Sequence, residues 1–255
     1  MKIVKQLSFV VLLFSLFLTA CKNEKETTNL NDSKNYFPHH IGKYIVYQVD
    51  SILYDDFFNR VDSVTFQLKE EVYDTISDNL GNIGYEIYRY SRQDASQPWV
   101  FRNVWREYII DNRAERIEGN QRLIKLAFPV LAPQRWDGNV YADYDTVFAV
   151  RNTTINVYKD WGEWAYSNID EPATIHTFNL DSTVLVIQAD LENNIERRYS
   201  VERYARNIGL VSRVQKILDT QCSQYPNGIA DCINLPWEEK AQSGYILKMN
   251  MIEHN

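Results

Sequence analysis

The chain has 255 residues, with 27 Lys plus Arg against 34 Asp plus Glu and a formal net charge of −7. No stretch is dominated by Lys or Arg, so the electrostatic footprint of a nucleic-acid-binding protein is absent. Aromatic residues make up 13% of the chain, and only 9 glycines and 7 prolines punctuate it, which predicts long half-buried strands and few long loops.

Lys2 and Lys5 give the chain a positive start, and Leu7 to Ala20 is then apolar apart from Ser8, Ser15 and Thr19. A charged start followed by a short apolar core is the layout of a secretory signal. A helix that spans a bilayer needs about 20 apolar residues, more than this core supplies. The segment ends Leu18-Thr19-Ala20-Cys21, which resembles the lipobox of bacterial lipoproteins. That resemblance implies a diacylglycerol on the Cys21 sulfur, cleavage just before it and acylation of the new amino group. Residues 1–20 are then a signal peptide, whose loss removes two lysines and no acid and moves the formal charge from −7 to −9. So acidic a chain is repelled by anionic lipid, and the acyl chains on Cys21 must supply the membrane attachment. Residues 21–35 hold the lipidated cysteine and a polar stretch that reads as a disordered tether, reaching roughly 20 Å on average. Lys22 is not the aspartate associated with inner-membrane retention, so the resemblance favours the outer membrane. The Lys-x-Glu-Lys-Glu pattern at 22–26 also resembles an acidic tag of surface-exposed lipoproteins, which tilts the expectation towards the cell surface.

Residues 36–255 read as one β-rich domain. Strands are predicted at 43–49, at 64–72, where Val64, Phe66 and Leu68 alternate with polar residues, and at 84–90 after the turn residues 78–82. Runs at 104–111, 114–119 and 120–128 form a meander of hairpins. Shorter runs follow at 145–150, 153–158, 173–180 and 182–191, then 195–204, 210–218 and 244–252. The stretch 200–207 reads as a short helix or a bent strand end. Strands without intervening helices pair antiparallel, and about ten of them exceed what a flat sheet tolerates. The expected fold is therefore all-β and mainly antiparallel, a strongly curved sheet of half-barrel or barrel-like form with at most short helices. Tyr36-Phe37-Pro38 followed by Gly42, Tyr44 and Tyr47, and Tyr204-Ala205 followed by Gly209-Leu210-Val211, resemble segments of uncharacterised β-rich lipoproteins. Both also resemble lipoprotein-carrier half-barrels, which implies a curved sheet around an apolar cavity and no catalytic residues.

Chemistry-bearing motifs are missing. The four histidines form no His-Glu-x-x-His pair, and His39-His40 read as surface imidazoles and His176 as a strand residue. No serine-hydrolase elbow and no phosphate loop occurs. Asp55-Asp56 and Glu70-Glu71 read as solvated acids unless the fold sets them across a cleft. No metal site and no cofactor is expected. Asp-Ser/Thr-apolar recurs at 50–52, 62–64, 74–76 and 145–147, as polar turns feeding strands; the triplet also resembles an O-glycosylation site of some exported bacterial proteins. Trp161, Trp164 and Tyr166 in "KDWGEWAYSN" are the candidate ligand-binding residues, since exposed rings stack on sugars, against the simpler role of plugging the β core. Cys222 and Cys232 remain once Cys21 is acylated. Their separation by a Pro-Asn-Gly turn in an exported chain predicts a structural disulfide away from any ligand site.

These observations favour a membrane-anchored, non-catalytic lipoprotein whose β domain binds a ligand or supports an envelope assembly. The alternatives are a carrier of lipid or another apolar ligand in a half-barrel cavity, and a surface glycan-binding protein. Its partners would be the membrane, through Cys21, and an envelope protein or a glycan, with no nucleic acid.

Overall fold

The computed structural model describes residues 30–222 and 229–255. The signal peptide, Cys21 with its lipobox, the tether as far as residue 29 and the turn at 226–228 lie outside the described residues. The expected all-β fold is present. Twelve strands make one antiparallel sheet that curls into a nearly closed barrel. In chain order the strands are β1 (Tyr44–Asp55), β2 (Arg60–Ser77), β3 (Ile83–Arg92), β4 (Val100–Ile110), β5 (Arg113–Glu118), β6 (Gln121–Ala127) and β7 (Arg135–Trp136). After them come β8 (Val147–Val150), β9 (Thr153–Asn156), β10 (Trp164–Ile175), β11 (Phe178–Glu192), β12 (Glu196–Ala205), β13 (Gly209–Asp219) and β14 (Ser243–His254). Around the barrel the order is β6-β5-β4-β3-β2-β1-β14-β13-β12-β11-β10-β7, and β8 and β9 form a separate hairpin. Three short helices complete the described residues: α1 (Leu30–Lys34), α2 (Ile229–Ile233) and α3 (Trp237–Lys240).

The turns follow their sequence signals. The Asp78 carboxylate accepts hydrogen bonds from the Leu80 and Asn82 amides, both at 2.8 Å, and Gly81 takes a left-handed φ of 81°. Such a φ is one that only glycine adopts without strain. Asn193 does the same at the β11–β12 turn, its Oδ1 accepting from Ile195 and Glu196. Several expectations need correction. β1 and β2 run longer than predicted because 50–52, 62–64 and 74–76 lie within strands; only 145–147 leads from a turn into a strand. His176 is no strand residue but sits with φ 52° in the β10–β11 turn. Of the two readings of 200–207, the strand end holds: it is the end of β12 followed by a turn.

The edges β6 and β7 form no backbone ladder and meet through side-chain bonds and one backbone bond. Trp136 Nε1 donates to Ile124 O at 2.9 Å, and Ile124 N donates to Gly138 O at 2.9 Å. Tyr166 Oη accepts from Ala127 N at 2.9 Å and donates to Ala127 O at 2.7 Å. Gly138 is required by close approach, since a Cβ there would lie 2.3 Å from the Trp164 ring.

Both ends of the barrel are capped. The segment after α1 lies across one end, where Tyr36 and Phe37 are buried. Ser33 accepts from Val130 N, and Asn207 N donates to Asn35 O. Leu30–Lys34 is therefore ordered helix, where the sequence read as tether. The β8–β9 hairpin packs against β14 and β1 at the other end. From it a chain of rings runs Phe148–Tyr158–Trp161–Trp164–Trp136–Tyr166, with centroids 4.6 to 6.3 Å apart. Outside the barrel, Trp237 of α3 packs with Tyr54, Leu218 and Ile246. Cys222 and Cys232 are joined in a disulfide that ties α2 to the end of β13.

Candidate functional site

Alternation along each strand decides what faces the lumen. Register places Glu202, Arg213, Met249, Val49 and Phe66 side by side across β12, β13, β14, β1 and β2. One step along, Tyr47, Leu68 and Ser91 are neighbours, and beyond them Glu70, Arg89 and Asn103. The lumen thus has an apolar wall on β1, β2 and β14 and a charged wall on β3 to β6, β12 and β13, which Glu70 of β2 joins.

The charged wall is tightly paired. Glu202, whose side chain is fully buried, accepts from Lys125 Nζ at 2.7 Å, from the Arg213 guanidinium at 2.7 Å and from Tyr204 Oη at 2.7 Å. Arg213 also reaches Glu118 at 3.0 Å. Nearer the capped N-terminal end, Arg116 bridges Glu107 and Glu70, and Arg89 binds Glu70 at 2.9 Å. Burial pushes the Glu107 carboxyl up, but Arg116 and the hydrogen bond with His39 outweigh it and hold it at about 2. Glu202 and Glu118 are likewise held below the usual carboxylate range, burial being overcome by Arg213 and Lys125. His39 lies stacked on Tyr85, its centroid 4.4 Å away, with a side chain only 3% exposed. It is a buried partner of Glu107, which corrects its reading as a surface imidazole. Glu70 is likewise luminal and buried, not solvated.

Against the apolar wall the lumen is hollow. A cavity of about 770 Å³ is lined by Val49, Val64, Phe66, Leu68, Leu247 and Met249 on one side. Arg89, Ser91, Arg92, Arg102, Asn103 and Arg213, with the β3–β4 loop, line the other. A second chamber of about 530 Å³ lies towards the β8–β9 hairpin, between Leu53, Phe148, Tyr158 and Tyr245, and shares Arg213 with the first. The larger chamber exists because β3 ends at Arg92 while β2 begins back at Arg60, so Val64 and Phe66 have no β3 neighbour. Its volume falls in the range of about 300–1,000 Å³ typical of small-molecule sites.

The candidate residues from the sequence do not line the larger chamber. Trp161, Trp164 and Tyr166 are 7%, 0% and 9% exposed, so none presents a ring face to a sugar. They plug the core, because the barrel seam and the hairpin need large rings with a polar edge. Cys222 and Cys232 lie at neither luminal chamber. Among the described residues no group of three or more His, Cys, Asp or Glu is placed to hold a metal ion. No described helix is long and apolar enough to cross a membrane. Some of the luminal charges had a sequence signal, sitting in phase with a buried apolar residue two positions away, as Glu70 does after Leu68 and Arg213 after Val211.

No protein-family model matches the chain, and no curated protein matches it. Among solved structures, a candidate lipoprotein from Parabacteroides distasonis is similar at 12% identity and a TM-score of 0.39, covering 86% of this chain and 98% of that one. A candidate exported protein with a YmcC-like fold from Bacteroides fragilis is similar at 12% identity and a TM-score of 0.34, with the same coverage of 86% and 98%.

Proposed function

We propose that this chain is a lipid-anchored envelope protein without catalytic activity, whose barrel lumen binds a predominantly apolar small molecule. The observation that carries the reading is the cavity of about 770 Å³ against the apolar wall of β1, β2 and β14. Small-molecule sites are concave clefts of this size, mostly apolar with a few placed polar groups. This chamber opens to solvent and sets an apolar wall against arginine, serine and asparagine side chains, which is that combination. Anchoring through Cys21 at the outer membrane rests on the lipobox resemblance and keeps such a binder beside a source of apolar ligand.

Two measurements test the proposal. The protein isolated from its native membrane is extracted with organic solvent, and the extract is compared with that of a Val64→Trp variant by mass spectrometry. A lipid or other apolar compound is expected at near-stoichiometric amount in the wild type and depleted in the variant; an empty wild type that also fails to bind a neutral apolar dye overturns the luminal reading. Labelled palmitate is expected to mark the wild type and not Cys21→Ala, and an unlabelled wild type overturns the anchor.

A second reading, surface recognition of a glycan or envelope protein, has its own observation. On the outer face of β2 to β4, Tyr73 stacks on Tyr88 at 4.0 Å, and Phe101 packs edge-on against Tyr88 and Tyr90. Tyr73 and Phe101 are each 51% exposed. This patch, and not Trp161, Trp164 and Tyr166, is where such a partner would meet exposed rings.

A further inference from the structure

The luminal charges around the larger chamber do not balance. Glu70, Glu107, Glu118 and Glu202 are matched by Arg89, Arg116, Lys125 and Arg213, each of which makes at least one ion pair with them. Arg92 and Arg102 are left over. Arg92 Nε donates to the Gln67 side-chain oxygen at 2.7 Å and its guanidinium lies 4.1 Å from the Trp99 ring centroid, with no carboxylate paired to it among the described residues. Arg102 stands at the β-bulge where β4 pairs with β3, which turns both Arg102 and Asn103 towards the chamber. Its Nε donates to the Ser91 hydroxyl, a neutral partner. Among the described residues its two terminal nitrogens make no hydrogen bond, and no carboxylate pairs with it. A chain of net charge −7 thus lines its cavity with two guanidiniums that no carboxylate pairs among the described residues.

The surroundings of Arg102 are those of a head-group site. Ser91 is 4% exposed, and Arg89 holds the Asn103 amide oxygen at 3.4 Å while stacking 3.4 Å above the Trp105 ring. Arg89 is thereby fixed in place beside Arg102. Ser91 lies opposite Leu68 in the β2–β3 register, so the polar end and the apolar wall meet within one step of the sheet. Buried within the same lining, Arg213 is 7% exposed and leaves its Nε without a partner.

Building on the luminal reading proposed above, we infer that the ligand is a single-chain amphiphile with an anionic head. The head seats on Arg102, supported by Arg89 and Ser91, and the chain lies along Phe66, Val49 and Met249. A guanidinium presents two parallel donors that match a carboxylate, and such charge-assisted bonds are the stronger kind. Two unmatched guanidiniums accommodate one or two negative charges, so a carboxylate and a phosphate monoester, which carries about −1.5 to −2 at neutral pH, fit the same seat.

Calorimetry with dodecanoate, dodecanol and dodecyl phosphate, using the full purified chain, tests the inference. Dodecanoate is expected to bind at least tenfold more tightly than dodecanol. Arg102→Gln is expected to cost dodecanoate about tenfold and to leave dodecanol within twofold. Arg102 is exposed, so the variant folds, and Arg106→Gln on the outer face of the same strand serves as the control with unchanged binding. Equal affinity for dodecanol and dodecanoate, or indifference of dodecanoate to Arg102→Gln, overturns the anionic head while leaving the apolar cavity standing. A tenfold loss of dodecyl phosphate binding in Arg102→Gln supports the anionic seat in the same way, and no loss overturns it. Failure of all three to bind overturns the inference together with the luminal reading on which it rests.

Discussion

The two walls of the lumen solve the problem of a barrel interior in opposite ways. The charged wall fills its space with ion pairs, in which Glu202 accepts at once from Lys125, Arg213 and Tyr204. The apolar wall leaves its space open, with Val64, Phe66 and Leu247 only partly buried. Paired buried charges have strict geometry and no tolerance for a missing member. Apolar side chains around a chamber tolerate rearrangement, because no hydrogen bond holds them in place. Rigidity and vacancy are thus separated across one barrel, with Arg213 on the boundary.

The largest effect should come from breaking the charged wall. Glu202→Ala leaves Lys125 and Arg213 short of a carboxylate in a buried setting, and such a loss costs about 3–5 kcal/mol. Urea unfolding of the variant measures it; a change below about 1 kcal/mol would show that water enters the charged wall and that the two walls do not differ as described.

Acid attacks the same wall by another route. Glu107 has an ordinary carboxyl value of 4.5 when unfolded and is held at about 2 in the barrel. A depressed folded-state value contributes stability that is present above the unfolded value and lost as pH falls through the folded one. The urea midpoint should accordingly drop steeply between pH 4.5 and 2, and Glu107→Gln, weaker at neutral pH, should show a shallower drop. Identical acid profiles for the two proteins would remove Glu107 from the account.

The smallest stability effect is expected on the apolar side. Val64→Trp places a large ring where the chamber already offers room, so its cost should stay below the roughly 1–3 kcal/mol of overpacking a filled core. The same change should weaken binding of a neutral apolar dye about tenfold. A strongly destabilised variant would mean the chamber is smaller than its lining suggests, and unchanged dye binding would place the dye elsewhere.

Much of this barrel is legible in the sequence because local rules write it. The alternation of Val64, Phe66 and Leu68, the Asp78–Asn82 turn and the Gly119 and Gly209 turns all act within a few residues. The lumen is less legible. Glu70, Lys125, Glu202 and Arg213 look like wet-face charges until strands far apart in sequence bring them together, Lys125 and Glu202 across a separation of 77 residues. The aromatic rings beside turns at 161–166 mislead for a related reason. Their neighbours, the seam and the β8–β9 hairpin, are not adjacent in the chain, so their burial has no local signature. Arg102 escapes notice because a bulge, which shifts the phase of β4, decides which way it faces.

The seam between β6 and β7 sets how the barrel comes apart. Elsewhere each strand is held by a ladder of backbone bonds, but here Trp136, Gly138 and Tyr166 hold Ile124 and Ala127 by four contacts. The amides of β6 should therefore exchange with solvent deuterium sooner than those of the central strands, through openings that leave the rest of the ring intact. Each such opening turns a closed ring into a ribbon with two bare strand edges. Bare edges are templates for pairing with another chain. Tyr166, whose hydroxyl both donates and accepts across the gap, is in this sense a latch against domain swapping and fibre growth, and its buried ring is the hinge pin that keeps one molecule from continuing into the next.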